Sequence, residues 1–163
     1  TGLTAEDVKL SLLCDDSDAS QKVAQFFQAQ WSENLGINVE ITPQQFKSRL
    51  DSMDSGDFDI VFAGWAPDYN DAMTYLDMFM KENGNNYGKY DNPEYDSLLT
   101  QAMTEQDAAK RQELLAQAEE LVTSTDAAVY PVYFSSCSYA VSDKVENMTR
   151  TGFQEFDFTD AAD

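Results

Sequence analysis

Trp65, Asp68 and Tyr69 are the side chains of this chain whose types and spacing suit binding chemistry. They lie in the run Phe58-Asp59-Ile60-Val61-Phe62-Ala63-Gly64-Trp65-Ala66-Pro67-Asp68-Tyr69-Asn70-Asp71. Strand-favouring residues pass straight into Gly64-Trp65, and a short acidic, aromatic loop follows. Open α/β sheets keep their ligand sites beyond the carboxyl ends of their strands. There Trp65 offers a flat apolar face flanked by Gly64 and Ala66, Tyr69 a phenol and Asp68 a carboxylate. That set suits a ligand with a cationic amine and an apolar body. Each residue also has a plain structural role open to it. Trp65 fits a core position, Asp68 fits a turn after Pro67, and Asp71 (or Asn70) fits the cap of a following helix.

Catalytic signatures are missing from the sequence. It has no histidine for a triad or general base, no Gly-x-Ser-x-Gly and no Ser-x-x-Lys. Its glycines are scattered singly, so no phosphate-cradling loop is present. Asp15-Asp16 and the Asp57/Asp59 pair read as solvated turn and strand-edge carboxylates in an acidic chain. Without histidine or closely spaced cysteines, zinc and other transition metals have almost no ligands, and no cofactor is expected. Cys14 and Cys137 read as separate buried thiols, with a bridge as the alternative.

The elements that must position the loop follow from periodicity. Val8–Cys14 reads as a strand. A helix capped by Asp18, with Gln21 closing a capping box, runs to about Leu35, with Val23, Phe27 and Trp31 on one face and Gly36 as the stop. Ile37–Ile41 alternates as a second strand. Thr42-Pro43-Gln44-Gln45 then opens a helix that turns Phe46, Leu50 and Met53 inward and ends at Gly56. Phe58–Ala63 is the third strand. The order β-α-β-α-β with short connections implies a parallel sheet. Three helical stretches follow: about Ala72–Lys81; one capped by Asn92-Pro93 with Tyr95, Leu98, Leu99 and Ala102 on a face; and one capped by Asp107 with Leu114, Leu115, Ala118, Leu121 and Val122 inward. A β-rich run from Ala128 to Val141 closes the core. The tail alternates weakly and carries Phe153, Phe156 and Phe158. The fold class is α/β, a mostly parallel sheet flanked by helices, and residues 1–163 read as a single domain.

Thirty acidic residues against ten basic give a net charge of −20. Such a chain is repelled by nucleic acid and by anionic membrane surfaces. No apolar run is long enough to span a bilayer. The first residues, Thr1-Gly2-Leu3-Thr4-Ala5-Glu6-Asp7, lack a secretory signal, which fits a cytosolic, a processed or a fragmentary chain.

Six stretches in order resemble one known family. They are Leu10-Ser11-Leu12-Leu13 leading to Asp18; Trp31-Ser32-Glu33-Asn34-Leu35-Gly36-Ile37-Asn38-Val39; Phe58 to Tyr69 with its Gly-Trp-x-x-Asp-Tyr loop; Asn86–Tyr90 leading to Asn92-Pro93-Glu94-Tyr95-Asp96; Arg111-Gln112-Glu113-Leu114 to Glu119-Glu120; and Val129-Tyr130-Pro131-Val132-Tyr133. Together they resemble the C-terminal lobe of the family 5 extracellular solute-binding proteins, the oligopeptide- and dipeptide-binding components of ABC importers. The resemblance implies one lobe of a larger, two-lobed binding protein, with an N-terminal lobe and any signal or lipid-anchor region outside this sequence. The implied partners are a peptide ligand, the permease subunits of an ABC transporter and that other lobe. The implied location is extracytoplasmic, in the periplasm or as a surface lipoprotein. The tail around Phe153–Phe158 resembles the family's last segment, which returns toward the other lobe.

Carried over residue by residue, the resemblance gives Asp68 the ligand's α-ammonium, Trp65 the adjacent side-chain pocket and Tyr69 a supporting place, with Gly64 and Ala66 beside them. At the positions where some long-peptide binders carry basic side chains on this lobe, the present chain has Ser20 and Phe62, which cannot meet a ligand carboxylate. The implied function is non-enzymatic binding of extended peptides. The rivals are a non-peptide cargo such as a metal chelate or oligosaccharide, an α/β enzyme domain using its carboxylates, and an interaction module with an exposed aromatic loop.

Overall fold

A parallel sheet forms where the sequence alternates most cleanly. In a computed structural model of the chain, residues 4–136, 138–151 and 155–159 are described. They fall into two compact units. The first holds the chain up to Trp65 together with Gly84–Tyr90; the second holds Ala66–Asn83 and the chain from Asp91 onward.

In the first unit β1 (Lys9–Asp15), α1 (Asp18–Leu35), β2 (Asn38–Gln44), α2 (Phe46–Ser55) and β3 (Ile60–Val61) follow one another. The strand order is β2-β1-β3, all parallel. Leu12, Cys14, Ala24 and Val39 form a buried cluster, with Phe27, Trp31, Ile41, Ile60 and Phe62 packed against it. The Phe27 ring stacks on Trp31 at 5.4 Å and meets Phe62 edge-on at 6.0 Å. Cys14 is a buried free thiol, and Cys137 lies outside the described residues.

Several expected boundaries move, each for a local reason. Ser17, not Asp18, caps α1. Its hydroxyl accepts the Ser20 N–H at 3.3 Å, while the Gln21 amide donates to the Asp16 carbonyl instead of closing a box. Thr42-Pro43-Gln44 continues β2, because β1 reaches as far as Asp15 and offers partners to all three. Pro43 is tolerated because β2 is an edge strand. The helix α2 then starts at Phe46 with Gln45 as its cap. Phe46, at its first position, is 62 % exposed and does not face inward; the Arg49 guanidinium sits 5.6 Å from its ring centre. Met53 is buried and Leu50 half-buried.

The third strand shrinks from Phe58–Ala63 to Ile60–Val61. At its start the Asp59 side chain replaces a backbone acceptor. Asp59 Oδ2 accepts from Ser11 N–H at 2.7 Å and Ser11 Oγ at 2.8 Å. At its end one further ladder bond runs from Phe62 N–H to the Leu13 carbonyl, 2.8 Å.

The second unit is mainly helical. It holds α3 (Met73–Leu76), a tight turn at Asp77–Phe79, α4 (Pro93–Thr104) and α5 (Ala108–Glu120), which runs into a wider turn over Leu121–Thr125. The helix expected over Ala72–Lys81 thus breaks after one turn. The caps on α4 and α5 are as their sequences suggest. Asn92 Oδ1 accepts from Glu94 and Tyr95, and Asp107 Oδ1 accepts from Ala109 and Lys110. Tyr95, Leu98, Leu99, Ala102, Leu115, Ala118 and Val122 are buried; Leu114 and Leu121 are half-buried.

The buried Tyr95 hydroxyl donates to the Leu76 carbonyl at 2.6 Å, tying α4 to α3. Tyr95→Phe strands that carbonyl in a dry interior and is expected to cost about 1–2 kcal/mol, read from urea unfolding. A loss of a few tenths would mean that water reaches the carbonyl.

Ala128–Val141 does not form the expected core strand. Among the described residues it contains no strand, and Tyr130 and Phe134 are 82 % and 94 % exposed. β-Propensity describes a fit to a pleated, half-buried surface, and no described strand borders this run. Beyond it β4 (Thr149–Arg150) and β5 (Phe156–Asp157) pair antiparallel. Phe156 and Phe158 are exposed, and Phe153 lies outside the described residues.

Candidate functional site

The chain leaves β3 at the carboxyl edge of the parallel sheet, where a ligand site is expected. Ala63, Gly64 and Trp65 are exposed there. At Gly64 an added methyl would meet nothing within 4 Å. Trp65 is 40 % exposed, so it is not a core tryptophan of its unit.

Ala66 opens the second unit and is exposed. From there to α3 the backbone is bent by short-range bonds. Asp68 N–H donates to Thr74 Oγ1 at 3.0 Å. Asp71 N–H donates to the Tyr69 carbonyl at 2.9 Å, and Thr74 N–H to the Asp71 carbonyl at 3.3 Å. Thr74 is buried, so its hydroxyl is a fixed acceptor beneath the loop. Asp71 Oδ1 accepts the Met73 N–H at 2.9 Å, a cap-like bond one residue ahead of the formal cap, Ala72.

The Asp71 carboxylate also meets Arg111 in a two-pronged fork, with Nη1 to Oδ2 at 2.6 Å and Nη2 to Oδ1 at 2.9 Å. Hydrogen bonding from Arg111, and then from Met73 N–H, holds the Asp71 carboxyl below the usual carboxylate range. Asp68 is exposed, and its carboxylate has no hydrogen bond or ion pair among the described residues. Asp77 carries the opposite shift to Asp71. Partial burial, and next the charge of Asp68, push its carboxyl up. The Tyr69 phenol is pushed up by burial and then by Asp77, Asp71 and Asp68, with Arg111 opposing. The loop therefore presents an exposed carboxylate and a phenol that is 44 % exposed, in a field more negative than its single cation offsets. Such a surface favours a cation with hydrogen-bond donors.

Asp68 and Tyr69 thus share one unit with Asp71, Asp77, Thr74 and Arg111, while Gly64 and Trp65 belong to the other unit. Thr74, Asp77 and Arg111 escaped the sequence reading. A buried threonine three residues past a cap-like aspartate is a weak local signal. Arg111 heads a stretch that resembles the family, but nothing local marks its partner, 40 residues away. Among the described residues no group of three or more His, Cys, Asp or Glu side chains is placed to hold a metal ion, and no helix is long and apolar enough to cross a membrane.

Comparison with known proteins places this loop in a family. The family model of the bacterial extracellular solute-binding proteins, family 5 (middle), matches residues 1–87. The oligopeptide-binding protein OppA of Bacillus subtilis (strain 168) is 34 % identical over 154 residues, which is 94 % of this chain and 28 % of that protein. The solved substrate-binding domain of an oligopeptide ABC transporter from Bacillus anthracis str. Ames matches with a TM-score of 0.82 at 36 % identity, over 94 % of this chain and 30 % of that one. Peptide-bound OppA of Listeria monocytogenes matches with a TM-score of 0.79 at 29 % identity, over 94 % of this chain and 29 % of that one. The chain spans about a quarter of the length of the curated relatives it matches. Its fold is the α/β class of these binding proteins, and the chain belongs to the bacterial extracellular solute-binding proteins of family 5.

Proposed function

We propose that this chain is one ligand-binding lobe of a peptide receptor for an ABC importer, and that Asp68 accepts the α-ammonium of an extended peptide. One observation carries the assignment: Asp68 is an exposed carboxylate with its backbone pinned and no cation of its own, in a loop whose charge is otherwise negative. The family membership and the peptide-bound relative support it.

The protein binds and delivers its ligand without chemical conversion. Tyr69, in the same unit as Asp68, borders the ammonium, while Gly64 and Trp65 form an exposed surface of the other unit that suits an apolar group. A second lobe closes over the peptide and excludes water, which strengthens the ammonium–carboxylate pair. Backbone pairing along the peptide supplies affinity without reading its side chains. The receptor works outside the cytoplasm, in the periplasm or held at the surface by a lipid, and hands its cargo to the permease subunits.

Amide chemical shifts test the assignment directly. Trialanine with a free amino end is expected to move the resonances of Trp65–Tyr69, and N-acetyl-trialanine is not. Equal shifts with both peptides, or none at this loop with either, would remove Asp68 from the ammonium site.

A further inference from the structure

Arg111 makes more side-chain bonds than any other cation among the described residues, and two of the three grip Asp71 in the loop that carries Asp68. It sits in the first turn of α5, and its own N–H bonds to the Asp107 carbonyl at 2.9 Å. Three guanidinium nitrogens are used. Nε donates to the Ala102 carbonyl at 3.1 Å, while Nη1 and Nη2 grip both oxygens of Asp71. Ala102 lies in the last turn of α4, where carbonyls have no helical partner, so the side chain satisfies a group that would otherwise need water. The α4 end, the α5 start and Asp71 are thereby fixed to one planar group.

The gripped residue sits at the centre of the loop. Asp71 bonds back to Tyr69 through its N–H and forward to Met73 and Thr74 through its side chain and carbonyl. Thr74 in turn holds Asp68 N–H. The path from guanidinium to Asp68 is therefore a continuous run of hydrogen bonds within one unit. The pair is about 30 % exposed on each side, at 31 % and 28 %. Screening reduces its value to overall stability, but a fork fixes direction as well as distance. A lysine at the same place has one nitrogen and cannot hold two oxygens and a carbonyl together.

We propose that Arg111 is a positioning residue for the ligand's amino end: by clamping Asp71 it holds the 68–74 turn so that the Asp68 carboxylate points free to receive the ammonium. The proposal rests on the assignment of Asp68 above. Arg111 does not touch the ligand. It also neutralises Asp71, which leaves Asp68 and Asp77 as the carboxylates of the loop without a cation. Because Arg111 lowers the Asp71 pKa, the support from this pair is present above the ordinary carboxylate pKa. It is lost as pH falls through the depressed value in the folded protein.

The test is a titration series on the full-length protein, with trialanine and N-acetyl-trialanine as the probes. The readout is the ratio of their dissociation constants, which isolates recognition of the ammonium from the rest of binding. Arg111→Lys is expected to reduce the wild-type ratio about tenfold, with the Kd for the acetylated peptide within twofold of wild type. It is also expected to move the acid unfolding midpoint to higher pH. Asp71→Asn breaks the charged fork from the other side with the same bulk, should lower the ratio in the same direction, and decides the matter if Arg111→Lys does not fold. Lys81→Met removes an exposed ion pair elsewhere in the same unit, Lys81–Asp91, and should leave the ratio unchanged. A large wild-type ratio that survives both Arg111→Lys and Asp71→Asn overturns the positioning role alone. A wild-type ratio near one overturns the Asp68 assignment, and the positioning role with it.

Discussion

Asp68→Asn in the full-length protein is expected to weaken binding of a free-amine peptide by at least about thirtyfold, or about 2 kcal/mol. The magnitude follows from removing one partner of a desolvated charge pair, which leaves the ammonium buried against a neutral amide. The substitution is well suited to a test because the Asp68 side chain makes no bond within the described residues. Only its backbone N–H is engaged, with Thr74, and asparagine keeps that bond and the shape of the turn. Thermal stability should therefore stay at the wild-type value while affinity falls. Isothermal titration reads the effect, and an unchanged Kd would sink the role given to Asp68.

Leu99→Ala is expected to cost about 2–5 kcal/mol of unfolding free energy, a large part of the margin of an ordinary domain. Leu99 is fully buried in α4, on the same helix as Tyr95, Leu98 and Ala102, and α4 packs along α5. The leucine is too deep for solvent to fill the space left by its truncation, so transfer and cavity terms add. The shift in urea midpoint at unchanged slope measures it. A loss below about 1 kcal/mol would mean that the α4–α5 seam collapses around the cavity. Because Arg111 sits in the first turn of α5 and bonds to the last turn of α4, a loosened seam should also blunt discrimination between free and acetylated peptides.

The two helices of that seam were legible residue by residue. Asn92 and Asp107 are local signals whose bonding partners lie two or three positions away, Pro93 suits the first helical position because it has no N–H to satisfy, and the apolar spacing names the buried face. The parallel β1-α1-β2 unit was legible for the same reason. Sequence pattern and structure part where a distant neighbour overrides a local preference. Thr42-Pro43 has the look of a helix start, but β1 extends far enough to pair it. Ala128–Val141 has strand composition but no strand beside it among the described residues.

The candidate site divides along the same line. The type and exposure of Trp65, Asp68 and Tyr69 could be inferred from a strand running into a loop. The Arg111 fork that braces the loop joins residues 40 apart, and neither residue carries a mark of the other.

The short third strand bears on how the protein breathes. β2 is laced to β1 along its whole length, from Lys9 opposite Asn38 to Asp15 opposite Gln44, whereas β3 shares register with β1 only at Ile60 and Val61, with one more ladder bond at Phe62 and the Asp59–Ser11 clasp at its start. The longer loop that β3 must close adds less than about 0.5 kcal/mol of closure entropy, so the difference lies in the number of rungs. Native proteins open in pieces, and the least-laced piece opens at the lowest free energy. β3 can therefore unzip while the β1–β2 ladder stays shut. Amide exchange should run ahead at Ile60–Phe62, and the segment carrying Gly64 and Trp65 hangs from the rung that lets go first.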